Sequence, residues 1–349
     1  MIYCTKCLSP ETRPRVTFNK KGVCNACQWA ERKNKQNWSA RQNTLEALCK
    51  KFIRDTWDVI VPFSGGKDSV YVAWKMRELG MHPLLITLVP HLETESGKYN
   101  REITRKEFDC LTITPEYEAY RELAILGLTE QGRPKLPFVT GISTVVCQLA
   151  LKLDIPFIMY GEEGEQEYGG ASGVKTKIDR NYLVDYYYSG HDPSEYGSWW
   201  ALPEQKQLVE LYPTHFSKFE KWDSKVHADF AISKGMITEP QIGTFTDYSQ
   251  LSDELQDLHT YLMYLKYGFG RATADVNIEI RAGRMSREEG IRIVREKDGT
   301  EPWMVNSQLL EKYSDYFKLS DRDFIQVVDG WANTEILEWK EKWTLKSPL

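Results

Sequence analysis

The sequence predicts an α/β protein with a doubly wound parallel sheet, an N-terminal zinc-binding segment and a mainly helical C-terminal region. Three observations carry that expectation. Short β-branched runs alternate with helical patterns between residues 58 and 162, four cysteines stand in two CxxC pairs before residue 28, and a long aromatic-rich stretch with helical spacing follows.

The elements follow in chain order. "CTKC" (Cys4, Cys7) and "CNAC" (Cys24, Cys27) are two knuckles separated by sixteen residues. Each pair lets two sulfurs of one turn reach a single ion, and the spacing predicts a four-thiolate zinc site. A redox CxxC would need only one pair. Gly22 supplies permissive backbone before the second knuckle. So short a segment has too little core to fold alone, so the metal is expected to hold residues 1–40 together. Residues 28–50 are polar and helix-compatible, and read as a connector. "DVIVPF" (58–63), "PLLITLV" (83–89), "FDCLTIT" (108–114) and "PFIMYGE" (156–162) then read as strands. Apolar positions predict a helix over 69–80, ended by Gly80, and another from Ile142 to Leu153. Near-continuous apolar strands separated by helices imply a parallel sheet covered on both faces, which bounds an expected domain over 41–190. Residues 191–349 are expected to form the helical substrate or partner region. In it Ser286 and Glu289 make a capping box.

Bulk properties exclude some classes. The net charge of −5 gives no overall basic bias toward nucleic acid. No apolar run is long enough to span a bilayer, and the start lacks the regions of a signal peptide. The cytoplasm is therefore the expected compartment, with no membrane insertion. Eleven Trp and nineteen Tyr would suit a base or sugar site, although packing is the commoner use.

"VPFSGGKDSV" (61–70) holds the densest chemistry. Ligands of parallel sheets bind beyond the carboxyl ends of the strands, and this turn sits at one such end. Gly65 and Gly66 let backbone amides face an anion, and the following helix adds its positive end. Ser64 and Ser69 add hydroxyls and Lys67 adds charge. Asp68 would repel a phosphate unless magnesium bridged the two. The spacing is not that of a Walker loop. A second cluster is "MYGEEGEQEYGG" (159–170), where Glu162, Glu163, Glu165 and Glu167 crowd the fourth strand's end beside Gly161. It reads as a metal or amine site, or as a solvated acidic loop. Arg271, beside Gly268 and Gly270, joins Arg281 and Arg284 as a candidate grip for a diphosphate or carboxylate; Arg284 also reads as solvated surface.

Ser-Gly-Gly-Lys-Asp-Ser after a strand resembles the PP-loop of the ATP-pyrophosphatase superfamily, whose fold is adenine nucleotide alpha hydrolase-like. With "YCTKC", "RPRVTFNKKGVCNAC", "GEEGEQEYGG" and "KYGFGRATADVNIEIRAGRMSREEGI", most of the chain resembles the N-acetyl sugar amidotransferases of bacterial surface-polysaccharide and nonulosonic-acid pathways. "HLETESGKYNREITRKEFDC" offers little to match. The resemblance implies that an acetamido group on a free or nucleotide-linked sugar becomes an acetamidino group. ATP would adenylate the amide oxygen, ammonia would attack, and AMP would leave, with ATP, Mg2+ and Zn2+ required. Ser64, Gly65, Gly66, Lys67, Asp68 and Ser69 would bind the leaving pyrophosphate, and Gly161 and the backbone of Thr87 the nucleotide. Glu162, Glu163 and Glu167 would orient ammonia or metal, and Arg271 would hold an acceptor anion or the AMP phosphate. Separate glutaminase and cyclase-like subunits would deliver ammonia, because Cys49, Cys110 and Cys147 lie in helix or strand patterns unlike a nucleophile turn. Two alternatives stand beside this one. A PP-loop tRNA thiolase would want a basic, aromatic-interleaved patch and paired thiols, and a non-catalytic nucleotide sensor would not need Asp68.

Overall fold

The computed structural model describes residues 1–169 and 179–349; the side chains of Glu165 and Gln166 lie outside the described residues. The central sheet has five parallel strands, β1 (Val59–Pro62), β2 (Pro83–Leu88), β3 (Cys110–Ile113), β4 (Phe157–Tyr160) and β5 (Tyr212–His215), in the spatial order β3-β2-β1-β4-β5. The chain winds outward from β1 to β3, then returns past β1 to lay down β4 and β5. The strand order therefore reverses between β1 and β4, and a crevice opens there at the carboxyl ends.

Strand alternation sorts the core into two layers. Val59, Val61, Phe63, Phe157 and Met159 face one way, onto the helices Trp38–Phe52, Lys67–Glu78 and Ser224–Ser233. Ile60, Leu84, Ile86 and Ile158 face the other, onto the helices Tyr117–Gln131 and Leu136–Lys152 and onto Tyr188 and Trp200. The stretch read as a connector is thus partly a core element. Its polar face disguised an amphipathic helix that buries Leu45 and Cys49. β5 lies past residue 190 and completes the sheet.

A third core gathers the helices Leu255–Tyr267, Gln308–Tyr316 and Asp321–Asp329 under Ala124 and Leu128. The cysteine segment packs on this C-terminal region. Leu8 joins Val276 and Val294, its N–H donates to Asn277 Oδ1 at 2.6 Å, and Thr12 donates to the Tyr267 carbonyl at 2.5 Å. Ser286 caps the helix Arg287–Lys297 by accepting from the Glu289 N–H, one half of the expected capping box.

Candidate active site

The Ser64–Ser69 turn opens into the crevice at the strand-order reversal. β1 gives way to Phe63, whose N–H donates to the Ile86 carbonyl at 2.8 Å, and the helix Lys67–Glu78 begins four residues later. Gly65 has φ +83°, and a Cβ there would stand 3.1 Å from the Arg101 backbone nitrogen. Only glycine fits both the conformation and the approach. Gly66 caps the helix with no side-chain acceptor, so first-turn amides stay available to an anion. Ser69 Oγ donates to the Gly66 carbonyl at 3.0 Å and steadies the turn. A cavity of about 100 Å³ lies against this loop, closed opposite by Gly97 and Tyr248–Ser252.

Asp68 lies at the centre of the charge pattern. Lys67 Nζ, itself buried, stands 2.6 Å from its Oδ2, and His227 Nδ1 stands 2.9 Å from its Oδ1. Burial pushes the Asp68 carboxyl up, but the Lys67 charge and the His227 contact outweigh it and hold the group at about 2. Asp68 is therefore ionised at neutral pH. Its carboxylate and the cavity wall fit a magnesium ion carried in with phosphates, a role that needs one or two carboxylates and no full protein cage. His227 is fixed in turn, with its ring 4.2 Å from Tyr71 in a stack and 4.1 Å from Trp222 edge-on.

β4 delivers the second half of the site. A Cβ on Gly161 would lie 3.8 Å from Asp68 Cβ and 3.1 Å from the Trp222 ring, so the end of β4 presses on Asp68. Burial, and then the Asp68 charge, push the neighbouring Glu162 carboxyl up to about 7. Two carboxylates with opposite shifts suit one group that binds cations and one that exchanges protons. Tyr168 belongs to the same field, its phenol pushed up by burial and then by Glu162.

The remaining sequence candidates take other positions. Glu163 is buried, and its N–H donates to Ser217 Oγ at 2.9 Å. Glu167 accepts from Lys33 Nζ at 2.7 Å and Trp29 Nε1 at 3.0 Å, which ties the β4 loop to the cysteine segment. Glu165 is named in the same cluster, but its side chain lies outside the described residues. Arg271 Nε donates to Asp275 Oδ1 at 2.9 Å, while Asp275 Oδ2 accepts from Thr244, Thr246 and Ser249. Arg271 thus braces the loop that walls the cavity. Arg284 lies at the surface, as its solvated reading has it, and there it pairs with both oxygens of Glu279 and with Asp223. Thr87 is buried within β2, opposite Thr112. Sequence reading missed His227, Gly97, Trp222 and Tyr248–Ser252, and none of them carries a local pattern that would flag it.

The cysteine segment fits zinc. The Sγ atoms of Cys4, Cys7, Cys24 and Cys27 are buried and lie within 4.8 Å of one another. Cys4–Cys27 and Cys7–Cys24 separations are 3.9 and 3.6 Å. A tetrahedron of ~2.3 Å zinc–sulfur bonds has edges of roughly 3.8 Å. Backbone amides of Lys6, Ser9, Cys24 and Cys27 point at these sulfurs, as thiolates require.

Residues 242–348 match the family model described as "LPS biosynthesis protein WbpG-like, C-terminal domain". No curated protein matches the chain significantly. Among solved structures, a predicted subunit of a tRNA methyltransferase from Methanocaldococcus jannaschii matches at 17% identity and a TM-score of 0.32, covering 59% of this chain and 85% of that one. At that score the likeness carries no argument about this chain. No helix among the described residues is long and apolar enough to cross a membrane.

Proposed function

We propose that this chain, whose C-terminal third matches the WbpG-like domains of lipopolysaccharide biosynthesis, is an ATP-dependent amidotransferase acting on the N-acetyl group of a sugar. The observation that carries the reading is the Ser64–Ser69 turn at the strand-order reversal, with bare amides, buried Lys67 and ionised Asp68 around one cavity. That arrangement suits a departing pyrophosphate. The acceptor's amide oxygen would form a bond to the α-phosphorus of ATP as the α–β bridging bond breaks. Ammonia would then add to the imidate carbon, and AMP would leave with the former amide oxygen.

The side chains divide this work. Lys67 and the first-turn amides offset charge on the pyrophosphate, a type of contribution whose loss costs ~10²- to 10³-fold in rate. Asp68 would hold magnesium, which supplies further charge neutralisation when bound. Glu162, poised near neutrality, accepts a proton from the attacking amine. Ammonia would come from separate glutaminase and channelling subunits. Burial pushes the Cys49 and Cys147 thiols up to about 11 and about 12, and raises Cys110 as well, so none is an activated nucleophile. Cys49 and Cys147 also lie in the layers on opposite faces of the sheet, which disfavours the paired thiols of a thiolase.

The test is product analysis with ATP, an ammonium salt and a panel of UDP-, CMP- and free N-acetyl sugars. AMP and pyrophosphate are expected, with acceptor mass lowered by about 1 Da as oxygen gives way to NH. ADP and phosphate would refute the assignment.

A further inference from the structure

Trp222, whose ring packs edge-on against His227, also lines a second cavity of about 160 Å³. Its other walls come from the cysteine segment through Ala30, Lys33 and Asn34, from Glu167 and Tyr168 after β4, and from Arg281 and Arg284 at the end of the helix Arg271–Arg281. None of these walls belongs to the Ser64–Ser69 loop.

The charges in this cavity do not cancel. Six charged side chains line it: Lys33, Lys221, Arg281 and Arg284 against Glu167 and Asp223. Lys33 pairs with Glu167 at 2.7 Å, and Arg284 with Asp223 at 2.7 Å and with Glu279, just outside the lining, at 2.6 Å. Among the described residues, Lys221 and Arg281 have no carboxylate within ion-pair distance. Half-buried Arg281 donates, among the described residues, to the Glu167 backbone carbonyl alone, at 3.1 Å, which leaves most of its guanidinium fork to other partners. Half-buried Arg281, which also faces the Cys7 sulfur, and exposed Lys221 are thus cations of this lining without a carboxylate partner, beside the rings of Trp222 and Tyr168, and they suit an anionic ligand with a flat or sugar ring.

We infer that this cavity binds the pyrophosphate diester of a nucleotide-linked sugar, with Arg281 and Lys221 on the diphosphate. The inference rests on the amidotransferase reading for its acceptor, and it adds the place and the chemical class. Tyr168 and Trp222 line this cavity and also border the Glu162–Asp68 pair, and on this proposal a sugar seated here presents its amide toward ATP on the Ser64–Ser69 loop. It also gives the zinc segment a task, since its helix Asn25–Lys33 is one wall.

The experiment is calorimetric titration of the zinc-loaded full-length chain with UDP, UDP-N-acetylglucosamine and, separately, ATP. Arg281→Gln should weaken UDP binding on the order of tenfold to a hundredfold, the range for losing hydrogen bonds between charged groups. Lys221→Gln should weaken it less, Arg281→Lys should restore part of the loss, and the ATP affinity of all three should stay within about twofold. Wild-type protein with no saturable UDP binding at millimolar concentration, or an Arg281→Gln variant that binds UDP as wild type does, overturns the site. The two readings fail separately. Formation of AMP and pyrophosphate from a free sugar without UDP binding keeps the reaction and removes this site. Arg281-dependent UDP binding with ADP as product does the reverse.

Discussion

His227→Phe is the most incisive single change, because it separates a contact from a packing role. Phenylalanine can keep the stack on Tyr71 at 4.2 Å and the edge contact with Trp222 at 4.1 Å. It cannot keep the 2.9 Å contact from Nδ1 to Asp68 Oδ1. A hydrogen bond to a charged group is worth roughly 1.5–3 kcal/mol. The Asp68 side chain is 24% exposed, so water replaces part of the contact and the lower end applies. About 1.5 kcal/mol corresponds to roughly tenfold in kcat/KM. His227 would thus be a positioning residue, acting through Asp68 alone. The assay is pyrophosphate release at varied magnesium, where the variant should need more magnesium and lose about tenfold in kcat/KM with little change in melting temperature. His227→Asn, whose amide nitrogen takes nearly the place of Nδ1, should recover rate despite losing the stack. A Phe variant within twofold of wild type, with the same magnesium dependence, would refute the reasoning.

Three further outcomes are expected. Cys24→Ser should release the metal and lose UDP binding while ATP binding persists in the soluble fraction; less than about half an equivalent of zinc in wild-type protein, by metal analysis, would count against the four-thiolate site. Burial lifts the Asp257 carboxyl from 3.8 to about 7, so the folded chain keeps a proton that the unfolded chain releases. Stability should therefore fall as pH rises from about 4 to about 7, by up to ~4 kcal/mol, and Asp257→Asn should melt higher than wild type at about pH 8 but not at about pH 4. The isolated chain should form amidine with concentrated ammonium salt and not with glutamine; mass spectrometry showing amidine from glutamine alone would mean a catalytic cysteine exists here.

The strands that sequence reading found are those it could find on physical grounds. β1, β2 and β4 are buried on both faces, so their residues run almost continuously apolar, and that run is a local signal. β5 is an edge strand, "YPTH", with one buried residue in four. An edge tolerates proline and needs no apolar run, and unlike β3, the other edge, whose "CLTI" stays apolar and β-branched, β5 carries no local mark. The helix Trp38–Phe52 was misjudged for the related reason that a half-exposed helix needs only a narrow apolar stripe, here Leu45 and Cys49.

Legibility of the site follows the same division between local and distant causes. The Ser64–Ser69 loop is contiguous, and its glycines, lysine and aspartate point to phosphate chemistry within six positions. What closes it is not contiguous. Arg101 forces glycine at position 65 from 36 residues away, and His227 reaches Asp68 across 159. Glu167 shows the limit most sharply. Its residue type fits a metal ligand, an amine partner or an ion pair, and only the fold brings Lys33, 134 residues upstream, to its Oε2. That pairing has a consequence for the chemistry. The Lys33 and Glu167 side chains are 12% and 13% exposed, so removing one leaves a nearly buried charge unpaired, a change that costs ~3–5 kcal/mol when burial is complete. Glu167 lies five residues after Glu162 on the same short excursion from β4, so whatever holds Glu167 also helps fix Glu162 against Asp68. The cysteine segment, through Lys33 and Trp29, therefore helps hold the stretch that carries Glu162, the group proposed above to exchange protons.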